Sequence, residues 1–279
     1  MPYKSILVHV DETPRSAARL DAAFELGQAF GAHVTGLALV PEIVVPPMVE
    51  VAYGAKLAAA HTQALREALD PVKAGFAERA RRAGVSSSEW REGNGDVVAT
   101  AALHARYADL FVIGQSDPED ERTRPVPGFQ ESVILAAGRP VLVMPYAGTF
   151  TRVGTKALVA WNASRESTRA VTDALPLLQR ADKVTVMVVR PRADARAHGE
   201  VPGADIAAYL ARHGVKVEVM AEEGEGIDVG DLILSRVADL GSDLVVMGAY
   251  SHSRLREWIL GGATRTMLES MTVPVLMAH

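Results

Sequence analysis

The residues best suited to chemistry lie in one stretch near the end of the chain, residues 248–264. The stretch follows a short apolar run, carries His252 and Arg254, and ends in two glycines before a helical pattern. Glycines let backbone N–H groups approach a ligand closely, a helix N-terminus presents unpaired N–H donors, and arginines supply positive charge. This combination predicts an anion cradle, and nucleotide phosphate is the ligand class that suits it best.

Catalytic groups of other kinds are missing from the sequence. Cysteine is absent, and the eight histidines are scattered without the spacing of a metal site. The sequence places no pair of carboxylates beside the loop for acid–base work. We therefore expect no catalytic residues and no metal site in the protein.

The composition is ordinary for a soluble globular protein, with 48% apolar and 23% charged residues among 279. The net charge is −5, which disfavours binding to nucleic acid through bulk charge. No apolar run reaches the roughly 18–20 residues that span a bilayer, and the chain starts without a signal-peptide pattern. We therefore expect no nucleic acid and no membrane among its partners, and a cytoplasmic location.

The chain repeats one unit. Residues 4–11 match residues 155–162, and residues 109–114 match residues 243–248, with further matching segments in the same order. Short Val, Ile and Leu runs alternate with amphipathic helical patterns, as in a buried parallel sheet covered by helices. The sequence predicts an α/β protein of two tandem doubly wound, Rossmann-like domains, each with a five-stranded mainly parallel sheet. The two domains are expected to span residues 1–147 and 154–279.

The predicted elements follow the same order in both copies. Strands are expected near residues 4–11, 33–41, 87–93, 109–114 and 140–145, then 155–162, 183–191, 215–222, 243–249 and 273–279. Helices are expected near residues 14–30, 56–83, 96–107 and 128–138, then 164–180, 203–213, 228–240 and 261–271. Sheets of this kind bind ligands beyond the carboxyl ends of their strands, where the strand order reverses.

These motifs resemble the universal stress protein family, in which the fourth strand leads into a G-x2-G-x9-G-[ST] loop that holds ATP phosphates. Gly248 and Gly261 fall on the first and third glycine positions. Ser251 stands where the second glycine is usual and Gly262 where the hydroxyl is usual, while Thr264 offers a hydroxyl two residues later. The resemblance spans nearly the whole chain. It implies a stress-response or regulatory protein that binds ATP, with or without Mg²⁺, or another adenine nucleotide, without dedicated catalysis.

The resemblance also implies which residues form the nucleotide pocket, at the ends of the first two strands of the second copy and in its glycine loop. The residues carried over are Ala160, Trp161, Asn162, Val188, Val189, Met247, Gly248, Ser251, His252, Ser253, Arg254, Gly261, Gly262, Ala263 and Thr264. Asn162 replaces the acid that is usual at the end of the first strand and brings no charge. Two of these residues also have a purely structural interpretation. Trp161 could be a packing residue, and Gly248 could be a simple turn between strand and loop.

The first copy carries a different loop at the matching place. Asp117 faces Ser251 and Pro127 faces Gly261. Counted from Asp117 to Pro127, this loop contains four acids, two arginines and three prolines. Acids repel a triphosphate and prolines remove backbone donors. We therefore expect the first copy to bind ATP poorly or not at all.

Two other functions remain open on the sequence alone. The chain could be an enzyme of the related nucleotide-handling α/β group that hydrolyses ATP or adenylates a substrate, or an interaction module whose pockets have decayed. The resemblance further implies that the closing strands of the two copies lie side by side, which makes the chain an intramolecular pseudo-dimer. A homodimer of two such chains is left open.

Overall fold

The computed structural model of the protein describes residues 2–41, 55–123, 126–190, 203–223, 228–250 and 262–279. The strands in these residues are β1 (Ser5–Val10), β2 (His33–Pro41), β3 (Ser88–Gly95), β4 (Leu110–Gly114), β5 (Val141–Met144), β6 (Lys156–Trp161), β7 (Lys183–Arg190), β8 (Val217–Glu223), β9 (Leu244–Gly248) and β10 (Val275–Ala278). The helices are α1 (Arg15–Phe30), α2 (Ala55–Arg82), α3 (Val97–Ala105), α4 (Phe129–Ala136), α5 (Arg165–Leu178), α6 (Ala204–Arg212), α7 (Val229–Leu240) and α8 (Gly262–Ser270).

The helix ends follow from local chemistry. Ser164 precedes α5 and its side chain accepts a hydrogen bond from the N–H of Ser167, which satisfies a donor that the helix cannot pair itself. Asp228 caps α7 in the same way through Gly230. Gly31 ends α1 in the left-handed conformation, with φ of 61°, which glycine adopts without steric cost.

All of these strands join one ten-stranded sheet in the order β3-β2-β1-β4-β5-β10-β9-β6-β7-β8. Neighbouring strands within each half are parallel. The halves meet through an antiparallel pair in which Leu142 of β5 faces Leu276 of β10. The predicted α/β class and the predicted side-by-side closing strands are therefore confirmed, and the two five-stranded sheets form one continuous sheet.

The apolar core lies in two layers, one on each face of the sheet. One layer contains the fully buried Phe24 and Leu276, and the other contains the fully buried Phe111 and Val245. Each layer therefore takes side chains from both halves of the chain. Burial of apolar surface is the main driving force for folding, so the two halves contribute to the same stabilising core.

The predicted elements agree with the observed ones to within about three residues at each end, which is the usual uncertainty of boundaries. One element was not predicted, a 3-10 turn at Glu121–Thr123 in the acidic loop of the first half. Within the described ranges, no helix is both long enough and apolar enough to cross a membrane.

Candidate functional site

The strand residues of the predicted pocket lie close to one another because three parallel strands end at the same edge of the sheet. Strand β6 lies between β7 and β9, and Ala160 of β6 is in register with Met187 of β7 and Met247 of β9. The chain leaves β6 towards β7 on one side and reaches β9 on the other, so this is the point where the strand order reverses. Doubly wound sheets open a crevice at such a point.

The side chains of the predicted strand residues point to different places. Val188 is fully buried in the core layer on the α5 and α6 side, and Met247 is 4% exposed in the opposite layer. Trp161 is half-buried and packs against the same layer as Val188, which agrees with its reading as a packing residue. Ala160 and Val189 are half-buried on the opposite face. Ala160, Trp161 and Val189 therefore keep some accessible surface, whereas Val188 and Met247 are closed to solvent.

Asn162 forms the same turn as Asp11, the acid at the matching position of the first half. Its side-chain oxygen accepts a hydrogen bond from the N–H of Ser164 at 3.1 Å, as the carboxylate of Asp11 accepts one from Thr13 at 3.0 Å. Such turns are formed equally by Asn and Asp. The exchange therefore preserves the backbone at the end of β6 and removes a negative charge from the crevice.

Gly248 has a packing reason to be glycine. A Cβ atom placed there would lie 2.6 Å from the carbonyl carbon of Glu166 and would collide with the backbone nitrogen of Ser167. The first turn of α5 therefore packs directly against the end of β9. This close approach supports the structural reading of Gly248, and it also brings the helix and the loop start together.

The loop that follows begins with a strained residue. Tyr250 has a positive φ of 59°, and its N–H donates to the hydroxyl of Thr264 at 3.3 Å. Thr264 is 3% exposed. The Thr264 hydroxyl therefore lies at the base of the loop and already accepts a hydrogen bond from it, which leaves its own proton for another acceptor.

Five of the predicted loop residues lie outside the described residues: Ser251, His252, Ser253, Arg254 and Gly261. The helix start that follows is described. Gly262 is exposed and Ala263 is half-buried at the first positions of α8. The start of α8 follows the carboxyl end of β9 and lies at the same edge of the sheet as Ala160. The first N–H groups of a helix have no carbonyl partner within the helix.

A carboxylate lies beside this helix start. Asp228 caps α7 and accepts a hydrogen bond from the Thr266 hydroxyl at 3.2 Å, while its second oxygen lies 3.1 Å from where a Cβ of Gly262 would be. Carboxylate oxygens are ligands that Mg²⁺ accepts together with phosphate oxygens. Within the described ranges, no group of three or more His, Cys, Asp or Glu side chains could hold a metal ion by itself.

The first half fills the matching corner with large side chains. His9 is 4% exposed and packs against the ring of Phe129, with 5.4 Å between ring centroids. Gln130 donates from its amide to the carbonyl of Gly114 at 2.9 Å and accepts from the Ser116 hydroxyl at 3.0 Å. Burial lowers the pKa of His9 to about 4, because the apolar surroundings disfavour its charged form.

The Arg19 side chain also occupies this corner of the first half. It donates to the carbonyl of His9 at 2.8 Å and pairs with Asp11 at 2.6 Å, and its guanidinium lies against Gly114. Burial would raise the pKa of Asp11, but the Arg19 and His9 contacts and hydrogen bonds from Thr13 hold it below its ordinary value. Asp11, the acid at the end of β1, is therefore engaged by the protein's own side chains.

The repeat allows a residue-by-residue comparison of the two corners, with residues 4–19 matched to 155–170 and residues 109–134 matched to 243–268. The pairs are His9 with Ala160, Arg19 with Ala170, Phe129 with Ala263, and Gln130 with Thr264. At all four pairs the first half has the larger side chain. At these four positions the second half therefore has less side-chain volume than the first.

Sequence reasoning missed Arg19 and Asp228. Arg19 had a visible signal, because it is a charged residue inside the apolar face of the predicted helix 14–30. Asp228 also had one, as an N-cap residue directly before a predicted helix. The approach of Asp228 to Gly262 had none, because it depends on how α7 and α8 pack.

Comparisons with known proteins agree with this fold. The model of the universal stress protein family matches residues 2–145 and again residues 155–279. A solved universal stress protein from Archaeoglobus fulgidus DSM 4304 is similar with a TM-score of 0.76 and 16% identity, over 98% of this chain and 97% of that chain. A functionally unknown protein from Pseudomonas aeruginosa PAO1 has a TM-score of 0.60 and 17% identity, over 99% of this chain and 92% of that chain.

A third structure, a universal stress protein in complex with cAMP, is 19% identical with a TM-score of 0.40, over 54% of this chain and 100% of that chain. No sequence among the curated proteins matches the chain significantly. Structural likeness at these identities shows the fold alone. The family model, however, matches both halves and nearly the whole length, so the chain belongs to the universal stress protein family and carries two tandem domains of it.

Proposed function

We propose that the second half binds an adenine nucleotide, with ATP as the first candidate, and that the chain is a nucleotide-binding regulatory protein of the stress response without dedicated catalysis. The observation that carries the proposal is the contrast between the two corners. Ala160 and Ala263 stand in the second half where His9 and Phe129 pack against each other in the first.

A nucleotide needs an apolar slot for its base and N–H donors for its phosphates. In the second half, Ala160 and Val189 supply half-buried apolar surface, and the start of α8 supplies the donors. The loop residues Ser251, His252 and Arg254 would add polar and positive groups around the phosphates. Asp228 is the residue that would hold Mg²⁺ beside them.

The charge balance of the first half supports placing the nucleotide in the second. Asp120 and Arg122 of the acidic loop pair with each other at 2.7 Å, so this arginine is already engaged. Arg19 is likewise paired with Asp11. An incoming phosphate would therefore have to displace a carboxylate from either cation, whereas the matching residues of the second half, Ala170 and Asn162, carry no charge.

A nucleotide that binds only the folded state stabilises it by mass action. This is a physical route by which the concentration of nucleotide can change the population or assembly of the protein. It requires binding and no chemical step. An enzyme that hydrolyses or adenylates, and a module with decayed pockets, are the two alternatives that the experiment below separates.

The first prediction is that ATP with magnesium raises the melting temperature of the purified chain without releasing phosphate. At about a hundredfold excess over the dissociation constant, binding adds about 2.7 kcal/mol, which corresponds to roughly 5 °C for a chain of 279 residues that unfolds as one unit. Thermal melting and a phosphate-release assay on the same samples make the measurement. Turnover would instead identify an enzyme, and no shift would identify a decayed module.

The second prediction tests where the nucleotide site lies, by placing a residue of the first half at the matching position of the second. Ala263→Phe places in α8 the side chain that Phe129 contributes in α4, and it should abolish the ATP shift without lowering the melting temperature of the ligand-free protein. Ser270→Ala imports Ala136 at the exposed far end of the same helix and should leave the ATP shift unchanged. A full ATP shift in Ala263→Phe would refute the placement in the second half.

A further inference from the structure

We propose that Gln115, a residue of the first half, is a positioning residue for the nucleotide site of the second half. The inference rests on the proposed function, because it assigns to Gln115 a role in holding the helix whose start would bind the phosphates. Through this one buried amide, the first half holds a helix of the second half in position.

Gln115 directly follows β4 and is 3% exposed. Its side-chain nitrogen donates to the carbonyl of Leu268 at 2.9 Å, and its side-chain oxygen accepts from the N–H of Tyr146 at 3.1 Å. Its own N–H donates to the carbonyl of Met144. The amide is therefore used from both ends, and it ties the end of the first half's sheet to a helix of the second half.

The carbonyl that Gln115 holds is in the last turn of α8. The last four carbonyls of a helix have no N–H partner within the helix, so an outside donor is needed when such a group is buried. Gln115 supplies it for Leu268. A helix of this length is about 13 Å long and moves as one body. Fixing its last turn therefore also fixes where the N–H groups of its first turn point.

The start of α8 has its own tie, because Thr264 accepts a hydrogen bond from the backbone of Tyr250. That contact lies within the second half. Gln115 comes from the first half and contacts the opposite end of the helix. The helix is therefore held at both ends, once from within its own half and once from the other half.

The contact has no counterpart in the reverse direction. The repeat places Ala249 at the position of Gln115, and Ile134 of α4 at the position of Leu268. An alanine side chain has no donor to offer to α4. Gln115 therefore holds α8, and its matching residue, Ala249, cannot hold α4 in the same way. The second half is also the half with the smaller side chains at its corner, so this asymmetry is the one expected if the contact serves the nucleotide site.

The test compares two buried amides. Gln115→Met removes the tie to Leu268, and Gln130→Met removes an amide that is 5% exposed and makes its two hydrogen bonds within the first half. Each loses two buried hydrogen bonds, so both variants should melt at similarly lowered temperatures. Only Gln115→Met should weaken ATP binding, by about fivefold or more, since a buried carbonyl without a donor lets α8 shift.

Hydrogen exchange in the ligand-free protein gives a second measurement that needs no nucleotide. Gln115→Met should speed exchange of the α8 amides at residues 266–270, and Gln130→Met should leave them at the rate of the unmodified protein. Equal exchange in α8, or equal ATP affinity, in the two variants overturns the inference. If the unmodified protein shows no response to ATP, the proposed function fails; if it responds normally and Gln115→Met binds as tightly, only this inference fails.

Discussion

Arg19 explains at the level of single residues why the two halves differ. A buried arginine side chain carries a large desolvation cost, which is offset only when its donors are satisfied, and Arg19 is 4% exposed. The His9 carbonyl and the Asp11 carboxylate provide this compensation, and the second half has Ala160, Asn162 and Ala170 at the three positions. The exchanges form a set, because Arg19 without Asp11 would be a buried charge with no opposite charge to pair with.

His9 makes the stability of the protein depend on pH. Its folded pKa of about 4 lies below the ordinary value of 6.5, so between these values the unfolded chain binds the proton more readily. The stabilisation is complete above pH 6.5 and is lost as the pH falls towards 4. We predict that about 3 kcal/mol of unfolding free energy disappears across this window through His9.

Denaturant unfolding at pH 7, 6 and 5 measures the effect. His9→Ala imports the residue of the second half and should reduce the loss between pH 7 and 5, even though it lowers stability at pH 7 by leaving a gap beside Phe129. Asp11 faces His9, but the pKa of Asp11 is held below 3.8, so its contribution changes only at lower pH. An unchanged slope in His9→Ala would show that another group titrates.

At the scale of elements, the two strand-end glycines predict different costs of the same substitution. A Cβ at Gly248 meets the backbone of α5, with the carbonyl carbon of Glu166 at 2.6 Å, whereas a Cβ at Gly114 meets the end of the Arg19 side chain. The end of a side chain can move by rotating its own bonds, whereas the backbone of a helix can move only if the whole turn shifts. Gly248→Ala should therefore cost about 3 kcal/mol and Gly114→Ala about 1 kcal/mol.

Denaturant midpoints of the two alanine variants against the unmodified protein give these costs. Equal losses would mean that α5 can move away from β9 as easily as Arg19 can move from β4. A larger loss in Gly114→Ala would mean that the buried pair of Arg19 and Asp11 is less able to adjust than the helix. Because Gly248→Ala disturbs packing, its effect on nucleotide binding does not test the site.

The elements themselves were predictable because their signals are periodic and local. Apolar runs such as those of β4 and β9 and the long pattern of α2 placed strands and helices correctly, and the repeat placed the two halves. The 3-10 turn at Glu121–Thr123 was not predicted, because it depends on side chains such as Asp120 and Thr123 bonding to the local backbone.

The candidate site was predictable only as a set of strand ends and one loop. Their meeting at one edge follows from parallel strand order, which sequence patterns carry. The contacts of Gln115 with Leu268 and of Asp228 with Thr266 join residues far apart in the chain. No local pattern encodes such contacts, since they arise from the packing of helices on a finished sheet. The single sheet across both halves has the same origin.

At the scale of the whole molecule, the halves are joined by more than the β5–β10 pair. The Tyr3 hydroxyl donates to the carbonyl of Asp173 at 2.7 Å, and the Arg169 guanidinium donates to the carbonyl of Gly138 at 2.5 Å. Gln115 adds the buried tie to Leu268. Together with two core layers shared by both halves, these contacts make it costly for one half to unfold while the other stays folded.

We therefore predict that the chain unfolds as one cooperative unit. Unfolding of one half would expose Leu142 or Leu276 and the free edge of the other half's sheet, and both exposures are unfavourable. Two variants report on the halves separately: one keeps Trp90 as its single tryptophan and the other keeps Trp161, with the remaining tryptophans changed to Phe. Their fluorescence midpoints in denaturant should each coincide with the loss of helical circular dichroism in the same variant. The contrary result would be a Trp90 signal that changes at lower denaturant than the circular dichroism of its variant, while the Trp161 signal does not. It would show that the two halves unfold independently and that the β5–β10 pair does not couple them.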